Sequence, residues 1–302
     1  MRFDIVKHHR WWFTLSSILV ILSLVSIFTK GFNLGIDYTG GTIVEVQFQD
    51  QVSVGQVRSD LEKFGLGNSV IQESTEGHQA GSDIIIRTRN LSASESNAVV
   101  ASLNKDVGKA AVKRVESVGA VIGSEVTEHA LINLAVAFIA LAIYISLRFE
   151  YRIALSALAA IFHDLIIVLG VFSFFQLEID SSFLAAILTV IGYSMNEAVV
   201  IFDRVRENTH THKRTDSFAK LANDSIAQSI HRSVYTLTTV LFACCSLYFF
   251  GGDTTKNFSL CMIVGFISGA YSSICVATSL WTIWKSHNKN DVRNAGIVAE
   301  KN

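Results

Sequence analysis

Six stretches of this chain are apolar for long enough to cross about 30 Å of hydrocarbon as helices: 11–28, about 130–147, 153–175, 183–202, 233–250 and 258–284. Within a bilayer no water bonds free backbone N–H and C=O groups, so a lipid-facing span has to be a helix or a strand of a closed barrel. These runs are too long for tilted barrel strands. Composition agrees: of 302 residues 50% are hydrophobic and 17% charged, and the mean hydropathy is +0.40. Proline is absent, so any break in these helices has to come from glycine or serine.

Lysine and arginine orient the spans. The first run follows a cationic tail (Arg2, Lys7, Arg10) and continues into Thr29-Lys30-Gly31 with no small-x-small cleavage site, which reads as an uncleaved signal anchor. With six spans both termini share one side, and that side carries fifteen Lys and Arg residues, whereas the opposite short loops carry only Lys256. Both termini are therefore expected in the cytoplasm and the long segment 30–128 outside the membrane. The expected organisation is residues 1–29 as tail and first span, 30–128 as an external domain, 129–284 as spans two to six with a cytoplasmic loop at 203–232, and 285–302 as a C-terminal tail.

Between Lys30 and Glu128 the hydrophobic period changes. Alternation in Ile43, Val44, Val46 and Phe48 and in the Ile84–Ile86 run predicts strands. The pattern is strand 42–49, helix 54–65, strand 68–74, strand 83–89, helix 93–107 and strand 112–118, a twofold strand–helix–strand repeat of ferredoxin-like α+β type. The segment has 9 basic and 13 acidic residues and no cysteine. It reads as a recognition or lever module. The four cysteines (Cys244, Cys245, Cys261, Cys275) all lie in apolar runs, as small buried hydrophobes do. His210 and His212 read as solvated. No nucleotide-binding loop, Ser/His/Asp arrangement or cofactor signature is present, so neither enzyme activity, nor a cofactor, nor a metal, nor a nucleic-acid partner is expected.

Ionisable side chains within spans are costly to bury and are the default functional candidates. His163 and Asp164 fall near the middle of the third span. Glu197, after Asn196, lies in the fourth, and Arg232 opens the fifth. A static Glu197–Arg232 ion pair would fix helix register; a movable one would link proton binding to helix motion, because a neighbouring guanidinium changes the proton affinity of a desolvated carboxyl. His163 and Asp164 could equally be hydrogen-bonded structural groups. Small residues recur where helices would approach: Gly192 and Ser194, then Gly265, Gly269, Ala270, Ser272 and Ser273, with Gly265 and Gly269 forming a GxxxG pair. Phe218, Leu221, Ala222, Ile226 and Ile230 fall at helical spacing in the predicted cytoplasmic loop and suggest an interfacial amphipathic helix.

Five motifs together resemble the SecD/SecF family of protein-export membrane proteins, and among them its SecF members, over essentially the whole chain. They are Gly35-Ile36-Asp37-Tyr38-Thr39-Gly40-Gly41-Thr42 after the first span, Phe162-His163-Asp164 and the following Leu165–Gly170 in the third, Gly192-Tyr193-Ser194-Met195-Asn196-Glu197 running on to Asn208, Gln228–Ser233, and Phe249-Phe250-Gly251-Gly252. The chain departs from the family pattern in carrying Glu197 where Asp is common, and Ser229-Ile230-His231 before the arginine where Thr-Leu-Ser is common. The resemblance implies a membrane all-α six-helix bundle, half of an RND-like layout, with an inserted ferredoxin-like periplasmic domain. It implies partnership with SecD in a twelve-span assembly, association with the SecYEG channel and YidC, preproteins as substrates, and use of proton-motive force (pmf) in export across the bacterial inner membrane. The carboxylate at 197 and Arg232 match family positions implicated in proton coupling. The other classes open to such a chain are a self-contained RND-like exporter of small molecules and a scaffold that stabilises the translocon without moving protons.

Overall fold

The computed structural model describes residues 4–73, 81–211 and 217–287. A single 3-10 turn, Val6–His8, leads into α1 (His9–Lys30). The chain then forms β1 (Asn33–Leu34), α2 (Ile36–Thr39), β2 (Gly41–Phe48), α3 (Val54–Glu62), β3 (Val70–Glu73), β4 (Asp83–Thr88), α4 (Ala93–Asp106) and β5 (Ala110–Val118). It returns through α5 (Ala120–Arg148), α6 (Tyr151–Phe175), β6 (Glu178–Ile179), α7 (Ser181–Thr211), α8 (Phe218–Phe250), α9 (Asp253–Tyr271), a π-helical turn (Ser272–Ala277) and α10 (Thr278–His287).

Among the described residues six helices are long and apolar enough to cross a membrane: α1, α5, α6, α7, α8 and the continuous α9–π–α10 rod. Half or more of the apolar window is buried in α6, α7 and the rod, against 17% or less in α1, α5 and α8. The first three therefore form the centre of the bundle and the last three turn most of their surface outward, to lipid or to a partner. Small residues make the close centre possible. Ala154, Ala157 and Ala160 on α6 and Ala186 and Ala198 on α7 are fully or almost fully buried, and a Cβ on Gly269 would lie 3.1 Å from the Ser194 Cβ. Gly265 faces Val190 in the same seam. Inside the last span the regular α-helix gives way at Ser272-Ser273, at serine in a chain without proline.

The inserted unit has its own core. Val44, Val46 and Phe48 on β2 and Ile84 and Ile86 on β4 pack with Val57 and Leu61 of α3 and Val99 and Leu103 of α4. Val44 pairs with Ile86 and Val46 with Ile84, so one face of the sheet is covered by both helices, as period-two side chains require. The strand order is β3-β4-β2-β5, antiparallel throughout. Capping boxes start both helices, Ser53 with Gln56 and Ser92 with Glu95.

Three boundaries differ from expectation. Helix α5 starts at Ala120, about ten residues early, because no turn residue separates it from β5 except Gly119. Much of the expected loop 203–232 is helix: α7 runs to Thr211 and α8 starts at Phe218. Phe218, Leu221, Ala222 and Ile226 are buried, Phe218 against Trp281, so their helical spacing serves a protein–protein seam and not a helix lying flat in lipid. Finally, residue 74 of the third expected strand segment, His212, and most of the 285–302 tail lie outside the described residues.

Candidate functional site

Asp164 is the polar centre of the bundle. It sits on α6, 1% exposed, and a carboxylate so placed needs its oxygens bonded. Ser194 of α7 donates to Oδ2 at 2.7 Å, Ser268 of α9 to Oδ1 at 2.6 Å and Ser272, where the π turn starts, to Oδ2 at 2.7 Å. The His163 Nδ1 lies 3.1 Å from Oδ1. Ser268 and Ser272 are one turn apart, which aims both hydroxyls at one point. Three helices thus meet at one carboxylate. The π turn adds to this, since an extra residue in a turn shifts which side chains face inward.

His163 itself is 8% exposed and its Nε2 has no partner among the described residues; its ring lies 6.3 Å from that of Tyr271. Tyr271 in turn donates to the Trp12 carbonyl of α1 at 3.0 Å.

Glu197 is different in kind. It is 2% exposed on α7, and its Oε2 has no hydrogen-bond partner among the described residues. The Tyr193 hydroxyl, one turn earlier on the same face, is buried beside it and interacts with the Glu197 carboxyl without reaching full hydrogen-bond geometry. Arg232 does not meet Glu197: it is exposed on α8, and no ion pair links the two among the described residues. Asn196 and Gly192 are exposed, one turn apart on the outward face of α7. Nothing lies within 4 Å of a Cβ on Gly192, whereas one on Gly265 would meet Val190 and one on Gly269 would meet Ser194.

A second constellation lies where the inserted unit meets the bundle. The motif around Gly35 forms α2 and the short β1, which pairs in parallel with β6 in the α6–α7 turn, Asn33 opposite Glu178 and Leu34 opposite Ile179. Gly35 N–H donates to the Ile179 carbonyl at 2.8 Å. The Asp37 carboxylate accepts the Ser181 N–H at 2.9 Å, at the first residue of α7, where the helix dipole favours negative charge. Gly40 and Gly41 adopt φ of +71° and +139°, which L side chains rarely take. A Cβ on Gly40 would lie 2.8 Å from the Ala120 Cα, and one on Gly123 would lie 2.9 Å from the Tyr38 carbonyl oxygen. The paired glycines thus let the segment entering the unit touch the helix leaving it.

Charge surrounds this contact. Arg87 of β4 pairs with Glu178, and Asp37, Glu45, Arg114, Glu116 and Asp180 line the same cavity of about 120 Å³. Burial raises the Glu178 carboxyl above its ordinary 4.5, against the pull of Arg87 and with the push of Asp180 and Asp37. Burial, with Asp180 and Asp37, also pushes the Tyr38 phenol up to about 12, so its hydroxyl remains a donor, here to the Asp180 carbonyl at 3.0 Å. Sequence reasoning reached Asp37 and the glycines. It quoted Tyr38 in the same motif without giving it a role and missed Arg87, Glu178 and Asn257, of which Arg87 and Glu178 signal only by charge in an ordinary strand and turn and Asn257 by nothing.

Two family profiles match the chain: "Protein export membrane protein SecD/SecF, C-terminal" over residues 99–287 and "SecD/SecF GG Motif" over residues 25–52. The chain is 44% identical to the protein translocase subunit SecF of Acidaminococcus fermentans, over 95% of this chain and 99% of that one. It is 37% identical to that of Pseudomonas aeruginosa, over 93% and 90%. The crystal structure of SecDF, a translocon-associated membrane protein from Thermus thermophilus, superimposes with a TM-score of 0.86 at 31% identity, covering 95% of this chain and 39% of that chain. SecDF in a super-membrane-facing form superimposes at 0.71 with 32% identity, covering 97% and 40%. The chain spans about two fifths of these SecDF chains. It belongs to the SecD/SecF family of protein-export membrane proteins, on its SecF side.

Proposed function

We propose that this chain is the SecF-type subunit of the Sec export machinery in a bacterial inner membrane. There it joins SecD and uses proton-motive force to promote preprotein movement and release on the outer side, with SecYEG and YidC as further partners. In this reading both termini are cytoplasmic, the unit between the first two spans is ferredoxin-like and periplasmic, and the chain is not an enzyme. The identity to SecF proteins over nearly their full length supports the export role. The outward-facing Gly192 and Asn196 and the three sparsely buried helices support a second membrane subunit, as does the span of only two fifths of SecDF.

One observation carries the proton-coupling part: Glu197 is a carboxyl in the bundle interior whose Oε2 has no partner in hydrogen-bond geometry among the described residues, with only the Tyr193 hydroxyl beside it. Asp164, one helix away, has every oxygen occupied. A buried acid left incompletely bonded is poised to exchange a proton or to find a cation, and Arg232 on α8 becomes that cation in an arrangement in which α8 turns inward. The two SecDF forms fit this chain unequally at nearly equal identity, as expected if the family takes more than one arrangement. A proton crossing 100 mV supplies about 2.3 kcal/mol, enough to bias such an equilibrium about fiftyfold.

The test is export into inverted membrane vesicles with and without pmf. Glu197→Gln is expected to leave pmf-independent export intact and to abolish pmf stimulation, and Glu197→Asp to retain it. Full pmf stimulation in Glu197→Gln would leave the scaffold reading instead. A stable, active homodimer isolated without SecD would favour the small-molecule exporter.

A further inference from the structure

We infer that the segment Gly35–Gly41 is a mechanical joint that ties the inserted unit to the N-terminal end of α7, the helix carrying Glu197, so that the unit and α7 move as one body. In its consequence for export the inference rests on the reading of Glu197 given above; its structural half stands apart from it.

Contacts to the start of α7 come from both the motif and the sheet. Asp37 accepts the first N–H of the helix. Tyr38 donates to the carbonyl of Asp180 at 3.0 Å, and Asp180 Oδ1 accepts the Phe183 N–H at 2.9 Å and the Ser182 hydroxyl at 2.6 Å. Gly35 bonds Ile179 at 2.8 Å within the β1–β6 pair. From the sheet, Arg87 pairs with Glu178, and from α9 Asn257 donates to the Glu178 carbonyl at 3.1 Å. The joint is rigid on its other side as well, since Gly40 and Gly123 bring α2 against α5 at backbone distance.

A helix whose first N–H is held by the Asp37 carboxylate, and whose preceding Asp180 carbonyl is held by Tyr38, cannot shift along its axis without breaking those bonds or carrying the inserted unit with it. Glu197 lies sixteen residues beyond Ser181, about 24 Å along the same helix axis, with no proline between them to absorb the movement. Asp37 is therefore a positioning residue: it acts on the proton site through α7, and touches neither proton nor preprotein.

The experiment uses the full chain assembled with SecD in proteoliposomes, with the four native cysteines replaced and spin labels at the exposed positions 94 and 185, on the unit and on α7. The wild type is expected to give one narrow distance. Asp37→Ala should broaden it and lose pmf-stimulated export, whereas Asp37→Asn, which keeps an oxygen acceptor for the Ser181 N–H, should preserve both. Glu178→Arg should broaden the distance, and adding Arg87→Glu should narrow it again, which a misfolded unit would not do. An unchanged narrow distance with unchanged pmf stimulation in Asp37→Ala overturns the inference. If Glu197→Gln exports normally while Asp37→Ala still broadens the distance, the joint stands and the proton-coupling reading falls.

Discussion

Asp164 and Glu197 are two acids buried within one bundle, and their surroundings assign them different work. Three serine hydroxyls from α7 and α9 and its π turn converge on Asp164, so its oxygens are satisfied where they stand and it organises the core. Leaving a buried hydrogen-bonding group without its partner costs about 1–3 kcal/mol. Ser194→Ala, Ser268→Ala and Ser272→Ala are each expected to destabilise the protein by about that amount, read as a lower unfolding midpoint in detergent. Because all three bond one carboxylate, the double variants should lose less than the sum of the singles. Strict additivity would argue against a shared centre. Asp164 was legible in the sequence as an intramembrane charge. Its donors were not, because serine in a span is equally the residue of close packing, and only the fold shows that Ser268 and Ser272 point at the same carboxylate.

Helices and strands were the most readable level. Period-two alternation in β2 and β4 and the length of the six apolar runs fix element type whatever the tertiary context, and the strand and span assignments match the observed elements within a few residues, α5, α7 and α8 apart. The length of α7 and α8 escaped because amphipathic spacing at 218–230 fits an interfacial helix and a packed hairpin equally well; burial of Phe218 against Trp281 decides between them. Glycines show the same limit. Gly192, Gly265 and Gly269 are alike in sequence, yet only the last two meet a neighbouring helix. Gly269→Leu is expected to overpack the α7–α9 seam at a cost of about 1–3 kcal/mol and to lower the midpoint of the isolated chain. Gly192→Leu should leave that midpoint unchanged and instead reduce co-isolation with SecD. Equal effects of the two on the isolated chain would contradict the assignment of an outward, partner-facing side to α7.

In the complete molecule the inserted unit and the membrane bundle meet through ionisable groups, and this gives the contact a pH dependence with a definite sign. Glu178 holds its proton more tightly in the assembled contact than an ordinary glutamate does, burial being the main cause. A carboxyl raised in this way favours the assembled state fully below the ordinary value of 4.5, and that contribution is lost as pH rises through the raised value. Acidifying the side of the membrane that holds the unit should therefore tighten the contact, seen as a narrowing of the distance between labels on the unit and on α7, and Glu178→Gln should flatten the response. Loosening on acidification would reverse the sign and show that the Arg87 pair outweighs burial. In the proposed function, proton binding at Glu197 is the event on which pmf stimulation of export depends. Difference infrared spectroscopy of the assembled protein in membranes, recorded while the bulk pH is stepped, should show a protonated-carboxyl band that rises and falls with pH, disappears in Glu197→Gln and persists in Asp164→Asn. A band unchanged in Glu197→Gln, or no titrating band in the wild type, would contradict proton coupling at Glu197.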